Sequence, residues 1–140
     1  MREIKFRGKH NGDWKYGLLG MSGLSPAIID GVNVWPVDSS TVGQFTGMRT
    51  NEGVDGIELY EGDIVTMSIE NKDTAIRGVI CYVDNLGCYC VVKTDFSGIV
   101  ASLNAGFVLC GNLFDNRDLR MEFAEVYADG IRKTGTRSDE

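Results

Sequence analysis

Leu59-Tyr60-Glu61-Gly62-Asp63-Ile64-Val65 is the stretch on which the reading of this chain turns. Ile57-Glu58-Leu59-Tyr60 alternates apolar and polar residues ahead of the corner. After it, Val65, Met67 and Ile69 alternate with Thr66 and Ser68, so both flanks read as strands. Between them Glu61-Gly62-Asp63 makes a tight corner. Gly62 takes positive φ without steric cost, and the Asp63 carboxylate reaches nearby backbone N–H groups. A glycine-acid pair feeding a strand is common in small SH3-like barrels, but by itself it is equally a plain turn.

Downstream, the pattern repeats. Ile76 to Val83 is the most apolar segment, with Val79, Cys81 and Val83 on one face and Ile80 and Tyr82 on the other, which predicts a central strand buried on both sides. Asp84-Asn85-Leu86-Gly87 reads as a type I turn closed by a left-handed glycine. Cys88 to Lys93, Ile99 to Leu103 and Phe107 to Cys110 supply further strands, with a polar turn at residues 70–73 and a loop from Thr94 to Gly98. From Ile64 to Cys110 this gives about five short strands, the pattern of a small antiparallel barrel. Asp115-Asn116 offers an N-cap, and Leu119, Phe123, Val126 and Tyr127 recur at helical spacing. A short amphipathic helix is expected from Arg117 to Ala128. The polar tail beyond it is expected to be disordered.

Upstream, residues 2–7 alternate, with Ile4 and Phe6 facing inward and Glu3, Lys5 and Arg7 outward. Asn11-Gly12 favours a hairpin, and Trp14 to Leu19 returns with Trp14 and Tyr16 on one face and Lys15 on the other. Gly20 to Pro26 reads as a loop. Ala27 to Ile29 and Val32 to Trp35 flank Asp30-Gly31, a second hairpin turn, and Pro36 ends that strand. Asp38 with Ser39 is placed to cap a short helical turn. Gln44 to Met48 is an apolar run interrupted by Gly47, and the glycine-punctuated segment 49–56 is a loop. The expected fold is therefore mainly β: a small antiparallel SH3-like barrel, an additional N-terminal β-sheet region and a short C-terminal helix. The expected division is 1–60, 61–128 and a tail 129–140, the first two forming one compact unit.

Thr41-Val42-Gly43-Gln44-Phe45-Thr46-Gly47-Met48, followed by Tyr60-Glu61-Gly62-Asp63-Ile64-Val65, resembles the signature of the YopX family. The opening Met1 to Lys9 with Asn11 to Gly17, and the segment Gly111-Asn112-Leu113-Phe114-Asp115-Asn116-Arg117-Asp118-Leu119, resemble that family in the same order. The loop between Gly47 and Tyr60 is longer than the family's and lacks its lysine-rich turn, and the tail is also longer. The resemblance implies a β-rich fold and an origin in bacteriophages or prophages, with Gly47, Tyr60, Glu61, Gly62, Asp63, Gly111 and Asn112 as structural signature residues. It implies no activity.

The 140 residues carry a net charge of −6, with 43% hydrophobic and 24% charged residues. That is an ordinary globular balance, and the charge argues against a general affinity for phosphate backbones. A local basic cluster remains, because Arg2, Lys5, Arg7, Lys9 and Lys15 all fall in the first sixteen residues. No apolar run is long enough to span a membrane and no leader is visible, so the cytoplasm of a bacterial host is the expected compartment. Cys81, Cys88, Cys90 and Cys110 are expected as free thiols, because the C-x-C of Cys88 and Cys90 is not a zinc-ribbon spacing.

No Walker-type loop, nucleophile elbow or His-Glu-x-x-His pair is present, and His10 is the only histidine. Glu58, Glu61 and Asp63 lie close together, but capping and solvation account for them. No catalytic residue, cofactor or metal is assigned. Two binding functions stay open. One is a non-enzymatic interaction module, oligomeric, taking a host or phage protein. The other is a nucleic-acid-binding accessory protein using Arg7, Lys9, Trp14, Lys15, Tyr16 and Arg49, with aromatic rings for bases and cations for phosphates.

Overall fold

A computed structural model describes residues 3–50, 56–68, 75–101 and 105–129. Arg2, the loop at 51–55, the polar turn at 70–73, Leu103 and the tail from 130 onward lie outside the described residues. The chain separates into two compact units, Met1–Gly47 and Met48–Glu140.

The first unit is an antiparallel sheet built from tight hairpins. β1 (Phe6–His10), β2 (Asp13–Ser22), β3 (Ser25–Asp30) and β4 (Asn33–Pro36) follow one another, and β5 (Asp38–Arg49) returns to lie beside β1, giving the order β4-β3-β2-β1-β5. Three two-residue turns make this possible. Asn11 and Gly12 both take positive φ, at 52° and 87°, the requirement of the first turn. Gly23 and Gly31 take φ of 63° and 61° at the first central position of the next two, where the mirror-image turn needs glycine.

Four expectations need correction here. The strand expected at 2–7 begins at Phe6 and runs on to His10, with Ile4 exposed, because the Asn11-Gly12 turn fixes a register in which Phe6 to His10 face Gly17 to Asp13. The loop expected from Gly20 to Pro26 is instead a hairpin: Gly23-Leu24 alone makes the reversal, and Ser22 faces Ser25. The next turn is Gly31-Val32, one residue later than expected, because Asp30 and Asn33 close the ladder. Asp38 caps no helical turn. Its Oδ1 accepts from the Ser40 N–H and hydroxyl, and the Thr41 hydroxyl donates to its carbonyl, holding a strand distortion. There the β1–β5 register slips between Arg7 and Lys9, and Thr41 Oγ1 accepts the Lys9 N–H at 2.9 Å, replacing the missing ladder partner.

In the second unit the last residues of β5 pair with β6 (Glu58–Tyr60), and Thr50 N–H donates to the Ile57 carbonyl. A five-stranded antiparallel sheet follows: β7 (Asp63–Ser68), β8 (Ala75–Val83), β9 (Cys88–Val92), β10 (Gly98–Val100) and β11 (Gly106–Asn112), in the order β10-β9-β8-β7-β11. β8 is central, as its apolar run predicts. The expected barrel is not closed among the described residues: β10 and β11 remain the two edges, and no ladder joins them.

Both faces of this sheet are covered. Ile64, Val79, Cys81, Cys90 and Val92 face Leu113 and the helix residues Phe123 and Val126. Val65, Met67, Ile80 and Val91 lie with Met48, Leu59 and Phe107 on the other side. The helix α1 (Arg117–Asp129) forms where the spacing of Leu119, Phe123 and Val126 predicts it. Arg77 on β8 pairs with the exposed Glu122 at 2.8 Å, and its guanidinium lies 5.2 Å from the ring centre of the buried Phe123.

Burial outweighs that ion pair. Phe123 is fully buried, so Phe123→Ala should lower unfolding free energy by about 3–5 kcal/mol. Glu122→Ala, which breaks a solvent-exposed pair, should cost no more than about 1 kcal/mol. Urea titration of the two variants checks the contrast.

Candidate interaction surface

The signature residues near Asp63 and Asn112 form one structural knot. Asp63 is 2% exposed, and its Oδ2 accepts the Tyr60 N–H at 2.7 Å, closing the corner that Gly62 turns with φ of 90°. Gly62 donates its N–H to the Ile80 carbonyl, and its own carbonyl accepts from Leu113 N–H. A Cβ on Gly62 would sit 2.8 Å from the Phe114 ring. On the partner strand, Asn112 lies opposite Asp63. Asn112 Oδ1 accepts the N–H groups of Phe114 and Asp115, and its Nδ2 donates to Asp115 Oδ2. Asn116 stands at the N-cap, where its carbonyl takes the Arg120 N–H, while its Oδ1 turns back to accept from Asn112 N–H. A Cβ on Gly111 would come within 2.5 Å of that Oδ1. Glu58 holds both the Tyr60 hydroxyl, at 2.9 Å, and Arg49, at 3.1 Å. Gly47 turns β5 with φ of 87°. These contacts join the start of β7 to the end of β11 and the start of α1.

The basic and aromatic residues of the first unit are arranged differently from a single converging patch. Lys9 faces Trp14 and Arg7 faces Tyr16 across β1–β2, so these four share one face of the sheet. Arg7, expected to point outward, is 5% exposed because its guanidinium lies 4.3 Å from the Trp14 ring centre. Lys9 Nζ is 5.2 Å from the same ring. Lys15 projects to the opposite face, where its Nζ stands 4.0 Å over Trp35. His10 packs on Trp35 with ring centres 5.2 Å apart. Its Nδ1 stands 2.7 Å from the Pro36 carbonyl and its Nε2 3.2 Å from Asn11 Nδ2. Lys5 pairs with Glu3, and Arg49 belongs to the second unit. Arg7, Lys9 and Lys15 thus lie over the protein's own indole rings.

The same face carries an apolar strip that sequence reading missed. Leu18 on β2 faces Ile29 on β3, which faces Val34 on β4, and Tyr16 adjoins them along β2. Leu18 is 58% and Val34 49% exposed. Met21 is exposed on the other face, and the turn-tip residues Leu24 and Val32 are almost wholly in solvent. The available signal was the apolar residue at the second position of two glycine turns, where polar residues are usual.

Among the described residues no group of three or more His, Cys, Asp and Glu stands where it could hold a metal ion. Cys81 and Cys90 face one another across β8–β9, and burial pushes both thiols up to about 12. The Cys88 thiol, hydrogen-bonded beside it, adds to the rise at Cys90. No helix of the described residues is long and apolar enough to cross a membrane.

Asp63→Ala should cost about 1.5–3 kcal/mol, because it leaves the buried Tyr60 N–H unpaired, and Gly62→Ala about 1–3 kcal/mol through its positive φ; thermal melts check both. The thiols give a pH signature. Their folded pKa lies above the unfolded value near 9.0, so their contribution is complete below pH 9 and is lost as pH rises toward 12. The urea midpoint should fall across that window, less steeply in Cys81→Ala.

A family model described as YopX protein matches residues 21–120, which leaves the opening segment Met1 to Gly17 outside the match. No curated protein and no solved structure matches the chain.

Proposed function

This chain belongs to the YopX family, and from that premise we propose that it is a phage- or prophage-encoded interaction module without enzymatic activity. It works in the cytoplasm of the bacterial host, self-associates, and docks a host or phage protein. The observation that carries this reading is the strip of Tyr16, Leu18, Ile29 and Val34 on one sheet face, flanked by the exposed tips Leu24 and Val32. Tyr16, Leu18 and Val34 are exposed around a partly buried Ile29, and contiguous apolar patches of this kind commonly mark interaction sites. For the second unit we infer a partly open SH3-like barrel. A four-strand meander whose fifth strand returns beside the first, as β7 to β11 are ordered, supports that reading.

The nucleic-acid reading draws support from Tyr16, exposed on the same face as Trp14 and Lys9. It loses support from Arg7 and Lys15, which stack on Trp14 and Trp35 where bases would have to bind. The net charge of −6 also opposes it.

Sedimentation velocity should show wild-type protein as an oligomer, and a Leu18→Lys, Val34→Lys variant as a folded monomer. Affinity capture from bacterial lysate should recover a stoichiometric protein partner that survives nuclease and is lost with the variant. A wild-type monomer whose recovered material vanishes with nuclease, and whose binding falls steeply with salt, would overturn the proposal in favour of nucleic acid.

A further inference from the structure

Strand β2 changes partner along its length. Its residues 13–17 pair with β1, and its residues 18–22 pair with β3. The switch falls at Gly17, where a Cβ would collide with the Ile29 carbonyl oxygen, so a glycine lets the two backbones approach. The β1 ladder ends at Phe6 opposite Gly17. Among the described residues no strand pairs with the remaining side of 18–22.

Alternation decides what that side presents. Ser22 and Ser25 flank a two-residue turn and are therefore a hydrogen-bonded pair, as then are Gly20 with Ala27 and Leu18 with Ile29. Leu19 and Met21 turn their N–H and C=O groups the other way, toward the side that β1 leaves open. Their side chains are 43% and 63% exposed.

The β4 edge of the same sheet is guarded and this one is not. On β4, Asn33 closes a two-residue turn with Asp30, so the outward residues are Val34 and Pro36. Pro36 has no N–H to offer, and its carbonyl is taken up 2.7 Å from His10 Nδ1. Between Tyr16 and Ser22 there is neither a proline nor a charge, the two residue types that usually keep an edge from accepting another strand.

The edge is complementary to a second copy of itself. Antiparallel pairing about Gly20 sets Leu19 of each copy against Met21 of the other, and each such pair exchanges both ladder bonds. Gly20 meets its counterpart on the axis, where the backbones come closest and Gly20 has no side chain to accommodate. Copies of a chain with net charge −6 repel one another, and this edge brings no charged residues into opposition. Strand addition also preserves the faces of a sheet, so Leu18 and Ile29 of both copies fall on one side and join their apolar strips.

We propose that edge 18–22 of β2 pairs antiparallel with the same edge of a second copy, about a two-fold axis at Gly20. The inference rests on the self-association proposed above and names the contact that makes it.

The test combines sedimentation velocity with amide hydrogen exchange on the full chain across a concentration series. A dimer with a Kd of about 100 μM is expected, in keeping with a small contact. The Leu19 and Met21 amides should exchange rapidly in dilute protein and become protected as the dimer forms. Met21→Pro removes an outward N–H and none of the β2–β3 bonds, so it should raise the Kd at least about tenfold while the chain stays folded. Leu19→Lys, which sets like charges near the axis, should do the same. A chain that stays monomeric throughout overturns both the proposal and the self-association behind it. A dimer that survives Met21→Pro and Leu19→Lys but is lost with Leu18→Lys, Val34→Lys keeps self-association and overturns this contact. Leu19 and Met21 amides already protected in the dilute monomer, or protected only when a foreign protein is added, overturn it as well.

Discussion

The second unit depends on one buried carboxylate. Asp63 is out of water at the first residue of β7, and its hydrogen bond to Tyr60 N–H is what makes that burial tolerable. The corner it closes needs Gly62, and Gly62 in turn serves as donor to β8 and acceptor for Leu113. One short segment therefore sets the register of β7 against both neighbours. Asn112 repeats the device across the ladder, using both ends of its amide to organise the chain between β11 and α1.

This explains which parts were legible. The Tyr60 to Val65 corner was readable because glycine and aspartate have few other reasons to stand together before an apolar strand, and their chemistry is local. The central β8 was readable from its unbroken apolar run, and α1 from its spacing. The Asp84 to Gly87 turn was readable because its glycine sits where positive φ is needed. Whether the sheet closes was not legible: the alternation that suggested a barrel is the same in an open sheet, because pairing between distant edges leaves no mark in it. The stretch from Gly20 to Pro26 was misread because Gly, Ser and Pro suggest a loop, although two residues suffice for the reversal. Asp38 and Ser39 carry the composition of a helix cap, and the same hydrogen bonds equally hold a bulge.

The candidate surface was half legible for a related reason. Alternation placed Trp14 and Tyr16 on one face and Lys15 on the other, as the register has them. It did not reveal that Arg7 is drawn over the Trp14 ring and so withdrawn from solvent. Nor does alternation say whether an apolar face is covered. Leu18 and Val34 have the pattern of core residues and lie in water. Exposure is a property of the assembled sheet, and a strand read alone does not contain it.

The three two-residue hairpins also carry a kinetic consequence. Each pairs residues that are near neighbours along the chain, so β1 to β4 assemble by short loop closures, on a timescale of about 1–10 μs per hairpin. β11 must instead find β7 after the whole β8–β10 meander has been made, and non-local pairing of that kind slows folding. During synthesis the N-terminal hairpins leave the ribosome first and can form at once, with Leu18, Leu24, Val32 and Val34 uncovered while the rest of the chain is still emerging. The surface proposed above for docking is then also the earliest apolar surface that these hairpins present.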